Sequence, residues 1–247
     1  MKISLIEYTQ NADDLLIFSK KTRLTMSPDT YKQIKNMPAD EKQKELDYVF
    51  KTIGSSLEFV NYTFMIEDVT RAFTHQLVRH RVGVSFAQQS QRTVDVSDFD
   101  YLATGECTKD DTNGQIYKET MNHISQQYKK LISNGVKSED ARGILPTNVM
   151  TNILMKINLR ALSSLMEVRR CLRTQKEFRK VVTEMRKAIL SIHPWAEPAL
   201  DVYCAKTGSC QFKNYIGCPV KKTGMIRVDK VVRAGIKNTI NKITGVE

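Results

Sequence analysis

A chain of 247 residues with 41% hydrophobic and 26% charged side chains can bury a full core, and its balance is that of an ordinary soluble globular protein. No apolar run approaches the roughly 20 residues of a membrane span. The N-terminal MKISLIEYTQ lacks a signal-peptide core, so a cytosolic protein with no membrane partner is expected. The net charge of +11 points to anionic partners without choosing between nucleic acid, membrane surface and small anions.

KISLIEY alternates apolar and polar residues and reads as a first strand. DDLLIFSKK reads as a short helix, and SPDTY as a turn broken at Ser27 and Pro28. PADEKQKELDYVFKTIGSS starts acidic behind a proline and closes near Gly54, which predicts a helix. LEFVNYTFMIED is aromatic and β-branched, a strand. DVTRAFTHQLVRHRV follows as a helix, with Asp68 as its expected N-cap, and runs out into a loop through Arg92. RTVDVSDFDYL alternates and is expected to be a strand. DTNGQIYKETMNHISQQYKKLISNG predicts a long helix stopped by Gly135. SEDARGILP starts at a candidate N-cap, Ser138, and breaks at Pro146. From Thr147 to Pro194 the periodicity reads as helical throughout, with at least one break. The pattern is α+β in one domain, with a basic C-terminal tail of ambiguous structure after Cys204.

Five cysteines, an odd number without a secretion signal, read as free thiols. Cys204, Cys210 and Cys218 cluster in sequence but lack the tight C-x-x-C pairs of zinc sites, so no metal is expected. No G-x-S-x-G elbow, G-x-G-x-x-G fingerprint or Walker loop occurs, which excludes the common triad and nucleotide-loop chemistries.

Two cationic clusters remain. RHRVGVSFAQQSQR places Arg79, His80, Arg81 and Arg92 around Ser and Gln with no acidic residue. Cations at a helix C-terminus offset the macrodipole, but that does not account for Gln88, Ser90, Gln91 and Arg92. Many donors with no competing carboxylate are what a phosphate requires. The second cluster comprises Arg142, Asn158, Arg160, Arg169, Arg170 and Arg173. At helical spacing Asn158, Leu162, Leu165 and Arg169 fall near one face, which suits a flat ring with polar edges. A core helix with snorkelling arginines fits equally well, with Asp140, Glu167 or Glu177 as partners.

These residues together resemble the flavin-dependent thymidylate synthases. The R-H-R tripeptide is Arg79-His80-Arg81, and the S-x-R that follows is Ser90-Gln91-Arg92. SSLEFVNYTF, HQLVRHR, ARGILP and NLRALSSLMEVRRCLRTQKEF resemble further family segments in the same order, across roughly residues 50 to 180. The resemblance implies an enzyme of α+β fold, with a curved, mostly antiparallel sheet and a helical layer, over residues 1–205. It implies reductive methylation of dUMP to dTMP, with methylenetetrahydrofolate as carbon donor, FAD as hydride carrier and NADPH as reductant. It implies a homotetramer with active sites between subunits. The family's flavin contacts fall on Ser55, Arg79, His80, Arg81, Gln88, Asn158, Arg160 and Ser164. Its nucleotide contacts fall on Gln76, Arg79, Gln88, Gln89, Ser90, Gln91, Arg92, Arg142 and Arg169, with Arg169 polarising the uracil as the catalytic group.

The chain departs from the family pattern at Ile53, Phe59 and Thr93, where His, His and Tyr are usual, and at Gln88, where Glu is common. The stretch between Arg81 and Ser90 is one residue longer than usual. These departures motivate an alternative, a relative making another 5-substituted dUMP such as hydroxymethyl-dUMP. The less polar replacements argue for a drier site and for the methyl product. A basic nucleic-acid-binding protein is the remaining alternative. It is disfavoured because no helix-turn-helix or RNP motif is present, and nucleic acid is not an expected partner.

Overall fold

Alternation of burial along two strands fixes the centre of the fold. In β2 (Asn61–Thr70) Tyr62, Phe64 and Ile66 are buried, and in β4 (Met150–Asn158) Thr151, Ile153, Met155 and Ile157 are buried, with half-buried residues or the exposed Lys156 between. The computed structural model describes residues 1–23, 25–52, 54–103, 105–212, 214 and 217–222. In chain order these form β1 (Lys2–Tyr8), α1 (Ala12–Ser19), α2 (Pro28–Lys35), α3 (Ala39–Thr52), β2, α4 (Arg71–Leu77), β3 (Val84–Gln88), α5 (Asp111–Ser133), α6 (Ser138–Ala141), β4, α7 (Leu159–Arg169), α8 (Lys176–Leu190), α9 (Tyr203–Thr207) and α10 (Pro219–Lys222). The fold class is α+β, as expected.

The sheet runs β1-β2-β4-β3. Backbone bonds fix its antiparallel registers: Thr9 N to Asn61 O, Leu159 N to Val60 O, Asn158 N to Gly83 O and Gln89 N to Asn152 O. Contacts divide the chain into two units. Unit 1 comprises 1–2, 65–80 and 86–154, and unit 2 comprises 3–64, 81–85 and 155–247. In unit 1 the buried side chains include Ile66, Phe73, Leu77, Met121, Tyr128 and Ile153. Unit 1 carries α4, α5 and α6, and unit 2 the other helices described. Helix α8 buries Phe178, Val181, Val182, Met185 and Ile189, one stripe at 3.6-residue spacing. No helix among the described residues is long and apolar enough to cross a membrane.

Several local expectations are corrected. Ser27 is not a breaker; its hydroxyl accepts Thr30 N and caps α2, with Pro28 in the first turn where its missing N–H costs nothing. The cap of α4 is Thr70, whose hydroxyl accepts Phe73 N at 3.0 Å. Asp68 instead sits at φ 54° in β2 and lies 3.7 Å from the N-terminal ammonium. The supposed loop after the tripeptide contains β3. RTVDVSDFDYL is not a strand; it makes one bridge, Tyr101 to Val149. Ser138 begins α6 one residue after the cap position, Lys137. The largest correction is β4, expected as helix. Its buried residues repeat every second position, but apolar Met150 and Leu154 on the other face filled in a helical spacing. The tail expected from 206 holds α9's end and α10, and residues 223–247 lie outside the described residues.

Candidate active site

In unit 1 a short helix and a strand carry the first cluster. Helix α4 buries Phe73, Thr74 and Leu77 and ends where His80 N bonds Leu77 O at 3.1 Å. Gln76 is half-buried on that helix, and Arg79 leaves its end exposed, without an ion-pair partner among the described residues. The alternation of β3 turns Gln88 inward, and its amide donates to Thr74 Oγ1 at 3.0 Å and Thr151 Oγ1 at 3.4 Å. Gln89 is tied at both backbone ends: its N–H to Asn152 O and its carbonyl to the Arg71 guanidinium at 2.6 Å. Ser90 Oγ accepts the N–H of Arg92 at 3.0 Å, folding Ser90-Gln91-Arg92 into a tight turn. Arg92 Nε donates to the Glu139 carboxylate at 2.8 Å, and Arg142 Nε to the Glu139 carbonyl at 3.1 Å. Unit 1 thus ties Arg92 and Arg142 to the carboxylate and the backbone carbonyl of one residue, Glu139.

Arg71 is the residue of this cluster that sequence reasoning missed. Its Nε is buried without an acceptor. Burial, and secondarily the charge of Arg142, pull its pKa below the usual guanidinium value. Cations crowded together with an orphan donor describe a cradle that is short of an anion. The signal in the sequence was Arg71 itself, but nothing there showed that it would turn toward Gln89.

In unit 2 the second cluster is built around a close backbone approach. Gly83 sits at φ 69°, and a Cβ there would lie 2.4 Å from Asn158 Nδ2. Only glycine fits this position. Asn158 is not on the helical face expected of it. It ends β4 and caps α7, its Oδ1 accepting Ala161 N at 2.8 Å, which leaves the Nδ2 donors. Two residues on, Arg160 is exposed and pairs with Glu58 at 2.5 Å, and Ser164 Oγ donates back to the Arg160 carbonyl at 3.4 Å. Ser55 is exposed in the 3-10 turn Gly54–Phe59, and Arg81 is exposed without an ion-pair partner among the described residues. Glu58 and Gly83 orient this set although neither was expected to be a site residue.

The three arginines after α7's core have different surroundings. Arg169 is half-buried with its Cζ 4.5 Å from the Phe178 ring centroid, a cation–π contact that holds the guanidinium plane. Arg170 is 2% exposed and structural, donating to Leu200 O at 2.9 Å and Asp201 at 3.4 Å. Arg173 stacks 4.5 Å over Phe212. Glu167 pairs with Lys206 rather than with an arginine. Of the positions that depart from the family pattern, Phe59 and Thr93 are exposed in the chain, and Ile53 lies outside the described residues.

Comparison with known proteins bears on the family and the fold. A family model described as thymidylate synthase complementing protein matches residues 4–195. The flavin-dependent thymidylate synthase of Clostridium tetani is 32% identical over 212 residues, 78% of this chain and 84% of that protein. That of Pyrococcus furiosus is 37% identical over 181 residues, 68% of this chain and 72% of that protein. Two solved structures share the fold. The UMP/dUMP methylase PolB from Streptomyces cacaoi, bound with 5-Br dUMP, aligns at TM-score 0.65 and 18% identity over 80% of this chain and 93% of that one. The flavin-dependent thymidylate synthase ThyX from Helicobacter pylori, complexed with FAD and dUMP, aligns at 0.59 and 19% over 79% and 97%. With the family model spanning most of its length, the chain belongs to the flavin-dependent thymidylate synthase family.

Proposed function

We infer that the protein converts dUMP to dTMP, taking the carbon from methylenetetrahydrofolate and the electrons, through FAD, from NADPH. The observation that carries the nucleotide part is the anion-deficient cradle of unit 1. Arg71 has a buried donor without an acceptor beside a second cation, and Ser90, Gln91 and Arg92 form a donor-rich turn. A phosphate monoester supplies the charge and the acceptors that this cluster lacks. Arg92 and Arg142 hold it, Gln76, Arg79, Gln88 and Gln89 orient the nucleoside, and Glu139 keeps the two arginines spread.

The residues of unit 2 fit a flavin dinucleotide. Arg81, Arg160 and the Nδ2 of Asn158 offer donors, Ser55 and Ser164 offer hydroxyls, and Glu58, paired to Arg160, is the carboxylate within this set. The resemblance also assigns Arg79, His80 and Gln88, residues of unit 1, to the flavin. When bound, FAD supplies the hydride that makes the transferred methylene a methyl group. The chain's own contribution at the reacting ring is Arg169. A guanidinium held flat by Phe178 stabilises the negative charge that develops on the uracil as C5 becomes nucleophilic. None of the cysteines is needed as a nucleophile.

The reading extends to a cytosolic homotetramer with active sites between subunits and no nucleic-acid partner, and to a family domain over residues 1–205 followed by a tail. The test is anaerobic turnover of dUMP tritiated at C5, with product masses read directly. Tritium release with a methyl product, dependent on FAD, NADPH and methylenetetrahydrofolate, is expected. A hydroxymethyl product formed equally well without NADPH would replace this reading with the alternative that water captures the carbon.

A further inference from the structure

The alternation of β2 breaks once. Tyr62, Phe64 and Ile66 are buried at every second position, but Asp68 is exposed and Val69 is buried in its place. Asp68 has φ 54°, a left-handed conformation uncommon outside glycine. The pairing with β4 slips at the same stretch. Leu159 N bonds Val60 O and Arg71 N bonds Val149 O, so the eleven steps from 60 to 71 face the ten from 159 to 149. One extra residue, with a left-handed backbone where the alternation breaks, is a β-bulge.

The bulge is held from the neighbouring strand. Asp68 N donates to Asn152 Oδ1 at 3.0 Å. Asn152 lies on β4, which stands between β2 and β3 in the sheet. Its backbone carbonyl accepts the N–H of Gln89 at 3.0 Å, just past the end of β3. The Gln89 carbonyl in turn accepts Nη2 of Arg71 at 2.6 Å, and Arg71 follows Asp68 by three residues. The bonds therefore close a ring: Asp68, Asn152, Gln89, Arg71 and back along the chain, all within unit 1. Two side chains take part in it, the Asn152 amide and the Arg71 guanidinium. The Asp68 carboxylate stays outside the ring, 3.7 Å from the N-terminal ammonium.

This ring decides where Arg71 can work. A one-residue shift in a strand turns every later side chain to the opposite face, so the bulge sets the side of the sheet that the segment after it serves. The bond to Gln89 then fixes one end of a long side chain that would otherwise lose much rotamer freedom on meeting a ligand. Arg71 Nε is left as a buried donor without an acceptor. A guanidinium held in this way meets an anion at little further entropic cost.

We propose that Asn152 is a positioning residue for the nucleotide site: by holding the left-handed bulge at Asp68 and, through Gln89, the guanidinium of Arg71, it presents Arg71 to the phosphate of dUMP. The proposal rests on the nucleotide reading of unit 1 given above. Asn152 and Asp68 act through Arg71 and do not touch the substrate.

The experiment uses the FAD-loaded protein and reads dUMP affinity by calorimetry, KM and kcat by turnover, and FAD affinity by flavin fluorescence. Asn152→Leu should raise the Kd and KM for dUMP roughly tenfold, the scale of a lost hydrogen bond to a charged group, with kcat and FAD affinity changed by no more than about twofold. In a double-mutant cycle, Asn152→Leu added to Arg71→Ala should cost no further dUMP affinity. Asp68→Gly, which accepts the left-handed backbone, should bind dUMP as the parent does, whereas Asp68→Val, which resists it, should lose roughly as much as Asn152→Leu. Should Asn152→Leu fail to fold, the two Asp68 variants decide. Unchanged dUMP affinity in Asn152→Leu, losses that add to those of Arg71→Ala, an equal fall in FAD affinity, or Asp68→Gly and Asp68→Val behaving alike would overturn the proposal while leaving the nucleotide reading in place. A parent protein that binds no dUMP would overturn that reading, and this proposal with it.

Discussion

Unit 1 and unit 2 use arginine in opposite ways. In unit 1, Arg92 and Arg142 bond the carboxylate and the backbone carbonyl of Glu139, and Arg71 and Arg79 have no ion-pair partner among the described residues. Their charge is left under-compensated, as befits residues that await an anion. In unit 2, Arg170 and Arg186 are buried and compensated by Asp201 and Glu197, while Arg160 on the surface has Glu58. Arg169 and Arg170 are adjacent in sequence, yet one is stacked half-exposed on Phe178 and the other is 2% exposed. The difference teaches that burial separates the two uses: a cation enclosed with its carboxylates is structural, and one at the surface stays available to a ligand even where, as for Arg92 and Arg160, a carboxylate lies beside it.

Removing the buried cation Arg170 should therefore cost stability, and removing a cation proposed to meet a ligand should cost function. The largest effect is expected for Arg170→Met. It takes a buried cation from Asp201, with Arg186 3.9 Å away, and should cost roughly 3–5 kcal/mol in denaturant unfolding. A variant as stable as the parent would show that Arg170 is not the structural cation described here. Arg169→Lys should fold normally and bind dUMP, yet lose roughly 10²-fold in kcat, because lysine keeps the charge but not the planar fork. Loss of stability in place of kcat would erase the distinction between the two neighbours.

Gly83→Ala sharpens the comparison at the backbone. It forces a positive φ on alanine and a clash with Asn158, at a cost of about 1–3 kcal/mol local to unit 2. FAD affinity, followed by flavin fluorescence, should fall roughly tenfold or more while dUMP affinity by calorimetry changes little. Equal losses for both ligands would mean that the two residue sets do not act separately. Glu58→Gln should have a smaller effect. The pair with Arg160 is exposed, worth about 0.2–1 kcal/mol, so FAD affinity should change no more than about fivefold.

The smallest effect is on acid stability and belongs to unit 2. His193 Nδ1 lies 3.0 Å from the Tyr62 hydroxyl, with Trp195 and Tyr8 against its ring, and burial lowers its pKa below 6.5, opposed by Asp13. Its unfolded form therefore takes up a proton more readily than its folded form. Stability present above about pH 6.5 is lost as the pH falls toward the lower folded value. Thermal melts between pH 7.5 and 5.5 should show this slope, and His193→Gln should flatten it; an unchanged slope would assign it to other groups.

By itself the sequence determined the α+β class, the amphipathic helices α3, α5 and α8, and the ordered signature from Arg79 to Arg92, because periodicity and residue type are local properties. It also contained every residue proposed to touch nucleotide or flavin, but it could not sort them. The tertiary structure decided that Met150–Asn158 is a strand, since only pairing with β2 and β3 on its two sides makes an apolar-rich segment extend rather than coil. It decided that Asn158 caps a helix against Gly83, that Arg71 faces Gln89 and that Glu58 reaches Arg160 across 102 positions of chain. It also decided which of two neighbouring arginines is buried. Each of these depends on what lies opposite in space, and side-chain charge acts over a few ångströms regardless of separation along the chain.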